Sequence, residues 1–319
     1  MSLRLALLGL LAVAALAASL GIGSLAIPPA SVWAALTGDE TGTAARVVLD
    51  LRLPRALAAF AVGGLLALAG ALMQVLLRNP LADPYVLGIS GGAAVAALGT
   101  MVIGAAGALV APAAFVGALA SMLLVFALAR AAGGGGDRLL LTGVVVAAGW
   151  GAVISFLLAV AGERQVHGML FWLMGDLSQP GDPLPALGLL AVALIAALAA
   201  ARSLNLLARG EQQAAVLGVA VPALRRGVYF GASLATAAAV TLAGSVGFVG
   251  LVIPHLMRLW VSSDHRWLLP AAVLAGGTLL TLADTLARTI IAPQQLPVGV
   301  LTALVGVPLF LYLLVRGRR

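Results

Sequence analysis

The chain has 319 residues, 62% of them hydrophobic and only 9% charged, with a mean hydropathy of +1.14. Ordinary globular composition is nearer half apolar and a quarter charged, so a water-soluble domain of this length is excluded. The formal charge of +7 comes from 18 basic residues that are all arginine, and in a membrane protein such an excess reflects retention on the cytoplasmic side rather than nucleic-acid binding.

The absence of cysteine removes disulfides and thiolate metal sites, and the absence of lysine removes a Walker-type ATPase from this chain. The opening run MSLRLALLGLLAVAALAASLGIGSLA has the Ala-rich look of a secretory signal, but it stays apolar to about residue 27. About 20 apolar residues cross roughly 30 Å of hydrocarbon, so it is expected as a retained first span. Taken onward, the apolar windows predict ten spans, near residues 4–27, 54–77, 86–106, 111–131, 139–161, 184–202, 227–246, 249–262, 268–288 and 296–315.

Polar residues punctuate these runs at a few places. LDLRLPR (49–55) puts Arg52 and Arg55 three apart before the second span, either snorkelling at a helix start or offering a positive surface to an acidic partner. The second span carries Gly63, Ala67 and Ala71 at four-residue spacing, and the fifth carries Gly143, Ala147 and Gly151, both readable as close-packing stripes. RNPLADPYVLG (78–88) ends one helix with Pro80 and Pro84 and supplies Asp83 to cap the next. GGGGD (133–137) reads as a hinge-like inner loop.

Residues 203–226 are longer than a plain connector and predict a short helix from Glu211 to about Leu217, a stop at Gly218 and a new start at Pro222. SVGFVGLVIPHLMRLW (245–260) is interrupted by Gly247, Gly250 and Pro254, as helices lining a pathway are. Its His255 reads as a hydrogen-bonded structural residue or a ligand, while His167 and His265 are placed in loops without a partner at ligand spacing. In ADTLAR (283–288), Asp284 and Arg288 stand at i, i+4, the spacing of a helical ion pair.

Ten spans put both termini on one side. With that side taken as cytoplasmic, thirteen arginines fall inside (4, 78, 130, 138, 202, 209, 225, 226, 258, 266, 316, 318 and 319) and five outside (46, 52, 55, 164 and 288). The positive-inside rule supports this orientation.

The segments LRLPR (51–55), GALMQVLLRNPLADPYVLGISGGA (70–93), RLLLTG (138–143), MLFWLMGDLS (169–178), ARGEQQAAVLGV (208–219), GSVGFVGLVIPHLMRL (244–259), DHRWLLP (264–270), LADTLAR (282–288) and LPVGVLTALVGVPLF (296–310) resemble, in order and spacing, the FecCD family of ABC-importer permeases. These serve iron-siderophores, heme and cobalamin. The resemblance runs from about residue 45 to the C-terminus and implies an all-α polytopic fold of about ten helices. That makes residues 1–319 a single type II importer permease domain, with the cytoplasmic coupling loop at 203–226. It also implies a homodimer in the bacterial inner membrane, two cytoplasmic ATPase subunits carrying ATP and Mg, and a periplasmic binding protein. No catalytic, cofactor or metal residue is expected on this chain.

Residue by residue, Arg52, Arg55 and Arg288 match the family arginines that receive acidic residues of the binding protein. Gly210, Glu211, Ala214 and Gly218 match the helices seated in a groove of the ATPase. Asn79 and Leu81 match one cytoplasmic gate, and Gly136 and Asp137 a second, where many relatives carry small hydroxyl residues instead of GGGGD. The implied substrate is an iron chelate, siderophore or heme, with cobalamin as the alternative. A secondary transporter would bury ionisable residues at mid-membrane, and the candidates are sparse. An intramembrane enzyme lacks a convergent constellation.

Overall fold

Alanine and leucine dominate the chain and both favour helix, which pairs every backbone donor locally, as a hydrocarbon surrounding requires. The computed structural model describes residues 2–23, 25–39, 41–105 and 107–316, and these contain helices and no strand. Arg318, Arg319 and the side chain of Arg316, counted above for orientation, lie outside the described residues.

The helices in chain order are α1 (Ser2–Gly21), α2 (Pro29–Thr37), α3 (Thr43–Arg46), α4 (Leu53–Leu76), α5 (Ile89–Val102), α6 (Val110–Ala131), α7 (Gly136–Val160), α8 (Glu163–Leu173), α9 (Leu184–Ala199), α10 (Ala201–Arg209), α11 (Glu211–Val216), α12 (Val221–Ala243), α13 (Val249–Trp260), α14 (His265–Ala287) and α15 (Val298–Arg316). Each of the ten expected spans overlaps one of them: α1, α4, α5, α6, α7, α9, α12, α13, α14 and α15. Among the described residues five helical stretches are long and apolar enough to cross a membrane, and a sixth arises if α9 and α10, bent by 63°, count as one. Three more, including α5 and α13, are apolar but shorter.

Helix α4 is the hub. It is walled by α14, α12, α13 and α9, and 89% of its most apolar window is buried. Small residues make this possible. A Cβ on Gly63 would strike the Gly276 backbone of α14, and one on Gly276 would strike Gly63 and Ala67, so the first expected stripe packs as predicted. The second packs at Gly143, which abuts Val86 and Leu87, and at Ala147 beside Gly88, but not at Gly151, which has open space around it. Helix α7 is the opposite of α4: only 6% of its window is buried, and it shows Leu141, Val145 and Phe156 on its surface.

Four expectations about boundaries need correction. Helix α1 stops at Gly21 rather than near residue 27, and Arg52 donates to its last carbonyls. Arg52 and Arg55 do not open a helix, since the helical path begins at Thr43 and runs through a π-helical stretch, Val47–Arg52, into α4. Pro54 offers no N–H to the carbonyl of Asp50, and the ladder widens there. The interruption near 249–262 falls earlier, at Gly244–Phe248, while Gly250 and Pro254 lie inside α13. The Gly250 carbonyl, which Pro254 cannot serve, lies against Gly70 of α4 instead. His167 and His265 belong to helices, His167 stacked on Phe171 at 4.6 Å and His265 buried at the start of α14.

At 1.5 Å per residue Gly70 stands about 26 Å along α4 from Leu53 and about 9 Å short of Leu76, inside the apolar layer toward the Leu76 end. Helix α13 therefore starts within that layer, as half-helices that line pathways do. Helix α8 ends at the same junction: Asp176 N–H donates to the Ala243 carbonyl at 2.8 Å, and Gly175 packs on Ser245.

Candidate functional site

At one end of the molecule the three arginines of the expected docking patch do converge. Together with Asp50, Ser178 and Gln179 they line a cavity of about 440 Å³. Their guanidinium groups are turned inward, however, which corrects the expectation of an exposed patch: Arg52, Arg55 and Arg288 are 6%, 7% and 9% exposed. Arg52 donates to the carbonyls of Leu20 at 2.7 Å and Gly21 at 2.9 Å, and to that of Leu25. The C-terminus of α1 presents negative carbonyl ends, a suitable seat for a buried cation. Arg55 forks onto Asp284 and donates to Gln295 Oε1 at 2.7 Å. Arg288 donates to the Ser19 carbonyl, and its Nε lies 4.0 Å from Asp284 Oδ2. The i, i+4 pair expected from spacing is thus the weaker contact. The stronger partner, Arg55, lies 229 residues away in sequence.

At the other end, the loop expected to be structured is. Helix α11 runs Glu211–Val216, Gly218 takes φ +83° to end it, and Pro222 sits in the first turn of α12. Gly210, at φ +132°, makes the turn into α11, a backbone geometry that other residues resist. Glu211 pairs with Arg225. Ala214 is 0% exposed, packed in the chain's own core, which corrects its expected place in a partner's groove. The side chains this loop presents are Val216 and Leu217, 87% and 64% exposed. Large exposed apolar pairs on a polar loop mark a contact surface, and that signal was available in AAVLG.

Helix α10, which makes up the first part of this loop, was not foreseen. Its Asn205 donates Nδ2–H to Asp264 Oδ1 at 2.7 Å and accepts the backbone N–H of His265 at 2.9 Å. One amide thus ties the loop to the N-cap of α14. The Asp264 carboxyl is held below the usual range, first by that amide and then by the N–H of Arg266.

The candidate gates lie on the same side. Asn79 Oδ1 accepts the Leu81 N–H at 2.9 Å, and both residues are exposed at the tip of a turn. Gly136 begins α7 after three glycines with φ between +70° and +100°, and Asp137 is exposed beside it. A Cβ at Gly136 would come within 3.9 Å of the Arg225 guanidinium and 4.0 Å of the Leu76 carbonyl, so the second gate lies beside the α11 ion pair and the last turn of α4. Asp83 Oδ1 accepts the Tyr85 N–H at 2.7 Å and caps the short turn Pro84–Leu87, whereas the next spanning helix, α5, the expected recipient of that cap, starts after Gly88 without a side-chain cap. From that turn, Tyr85 Oη accepts the Val246 N–H at 3.1 Å, and Ser90 Oγ donates to Ser245 Oγ at 3.1 Å. The first gate segment is thereby fastened to the break between α12 and α13. Among the described residues no three His, Asp or Glu side chains are grouped to hold a metal.

The sequence profile of the FecCD transport family matches residues 10–316. The chain is 40% identical to the hemin transport system permease protein HmuU of Yersinia pestis over 94% of this chain and 91% of that one. It is 45% identical to the cobalamin import system permease protein BtuC of Halobacterium salinarum, over 85% and 74% respectively. A solved structure described as an inward-facing metal-chelate type ABC transporter superposes with a TM-score of 0.84 at 32% identity, covering 98% of both chains. With the helical architecture above, these likenesses establish that the chain belongs to the FecCD family of ABC-importer permeases.

Proposed function

We infer that this permease moves an iron chelate, siderophore or heme, from a periplasmic binding protein to the cytoplasm, working as a homodimer driven by two ATPase subunits. ATP binding on those subunits closes them against α11, and the push alternates access to a path along the dimer interface. The observation that carries this reading is the exposed pair Val216–Leu217 at the end of α11, a short helix whose Glu211–Arg225 pair lies beside the second gate at Gly136. The almost uncovered apolar face of α7 supports a second copy as its cover. The arginine bias supports a bacterial inner-membrane protein with both termini in the cytoplasm.

In the same reading the binding protein docks at the cavity of Arg52, Arg55 and Arg288. Three arginines against Asp50 leave its lining positive and suited to an acidic side chain. Reversing Arg52 and Arg55 to Glu should lower binding-protein affinity and uptake, and unchanged values would dismiss the docking role.

The deciding experiment reconstitutes the chain with ATPase and binding protein and follows ATP-driven uptake of hemin, a ferric siderophore and cobalamin. Similarity to both a hemin and a cobalamin permease makes cobalamin the alternative cargo. Uptake that persists without ATP, driven by an ion gradient, would overturn the reading. Val216→Asp with Leu217→Asp should abolish ATPase association while the permease stays folded.

A further inference from the structure

On the face that carries Glu211, a cavity of about 430 Å³ opens between the last turn of α6, the glycine run, α11 and the start of α12. Three arginines, Arg130, Arg225 and Arg226, line it against one carboxylate, Glu211. Arg225 is taken by Glu211. Arg130 and Arg226 are exposed and have no hydrogen-bond or ion-pair partner among the described residues. The floor is aromatic, with Phe126 and Tyr229 at 5.4 Å and the Tyr229 hydroxyl donating to the Met122 carbonyl at 2.7 Å.

The two free guanidinium groups sit where an apolar helix meets a polar end. Arg130 is in the last turn of α6, and Arg226 is the last charge before the apolar body of α12. Toward the membrane from Arg130, Leu123 lies on the same helix stripe through Phe126, at i, i+3 and i+7, and is 54% exposed. Leu124 and Leu128 beside it are also exposed. Reading along α6, the surface shows exposed leucines, then two unpaired guanidiniums over a cavity. That is the profile of a phospholipid, acyl chains first and phosphate next.

We propose that this cavity holds the phosphate head group of an anionic phospholipid of the cytoplasmic leaflet, with Arg130 and Arg226 on the phosphate and the exposed leucines of α6 along its chains. Guanidinium matches phosphate geometry with paired N–H donors, and a basic pocket between helices at this leaflet suits such a head group. The proposal rests on placing the α11 end at the cytoplasmic face. It has a consequence for coupling: a head group beside Arg225 competes with Glu211, so lipid occupancy acts directly on the start of α11.

The test uses the full chain in detergent, with native mass spectrometry reading retained phosphatidylglycerol against phosphatidylcholine. The double variant Arg130→Gln/Arg226→Gln should lose phosphatidylglycerol on the order of fivefold per arginine, about 25-fold together. A control, Arg202→Gln/Arg209→Gln, removes two exposed arginines from the neighbouring α10 and should keep the lipid. Equal retention of the two lipids, or equal loss in the control, would overturn the proposal. So would protection against thermal unfolding by inorganic phosphate but not by phosphatidylglycerol, which would assign the cavity to a free anion. Displacement of the lipid on adding the ATPase would give the cavity to that subunit instead. Binding is read on the permease without ATP or transport, so failure here and failure of the importer reading are distinguishable.

Discussion

The carboxylate of Asp284 grips the guanidinium of Arg55 in a fork, with Oδ1 2.8 Å from Nη2 and Oδ2 2.9 Å from Nε. Asp284 is 2% exposed, and Arg288 approaches its far side. Removing one partner of a buried pair strands the other charge, at a cost of about 3–5 kcal/mol. Asp284→Asn keeps the shape and removes the charge. Its thermal unfolding in detergent should fall well below that of the parent, and adding Arg55→Gln should recover part of the loss. An unshifted transition in Asp284→Asn would show that the pair is not what holds α4 to α14.

A second prediction concerns packing. A Cβ at Gly70 would land on the Gly250 backbone, and neither chain can yield without separating α4 from α13. Gly70→Ala should cost about 1–3 kcal/mol. Gly149 on α7 has nothing within 4 Å, so Gly149→Ala should gain about 1 kcal/mol of helix propensity in the monomer. If Gly149→Ala instead weakens self-association in cross-linking or light scattering, the face of α7 is covered by a second copy.

Half-buried Asp83 supplies a pH dependence. Burial raises its carboxyl from the ordinary 3.8 to about 6, although the Tyr85 N–H favours the carboxylate. The folded chain therefore holds the proton more tightly than the unfolded one. This contribution is full below pH 3.8 and is lost as pH rises through about 6. Asp83→Asn keeps an acceptor for Tyr85 and removes the titration, so its unfolding temperature should be flatter than the parent's across this window. Parallel profiles for the two proteins would refute the assignment.

Asn205 offers a test of force transmission. Its amide is the link from α10 to the N-cap of α14, and caps of this kind are worth about 1 kcal/mol. Asn205→Ala should leave ATP hydrolysis by the assembled transporter near normal while reducing transported substrate per ATP. Asn205→Asp should do worse, since it faces the Asp264 carboxylate. A normal transport-to-hydrolysis ratio in Asn205→Ala would confine the amide to a structural role.

Much of this was legible in the sequence where the determinant is local. Asp83 two residues before Tyr85, and Gly218 four before Pro222, carry their geometry in adjacent residues: the stop and restart form as expected, and the Asp83 cap forms, though on the short turn ahead of α5. Helices α8 and α10 escaped because neither contains an apolar stretch long enough to span. The opening of α8, Glu163–Arg164–Gln165, is too polar to separate from a loop, while Gln165 in fact donates to the Met101 carbonyl at 2.8 Å. Pro254 misled in the other direction: it lies inside α13, and the Gly250 carbonyl it leaves without an N–H packs against Gly70 of α4.

By itself the sequence determined that the chain is a membrane-embedded helical bundle, where its long apolar helices lie, and that Glu211–Gly218 forms a structured projection. These follow from apolar length, helix propensity and turn chemistry, which act over a few residues. Only the tertiary structure decided which way each of these side chains faces. Arg52 and Arg55 are three residues apart, yet one caps α1 and the other pairs with Asp284, and Ala214 is buried while Val216, two residues on, is bare. Burial of a guanidinium or a methyl group depends on helices brought together from distant parts of the chain, and spacing along one helix does not encode that.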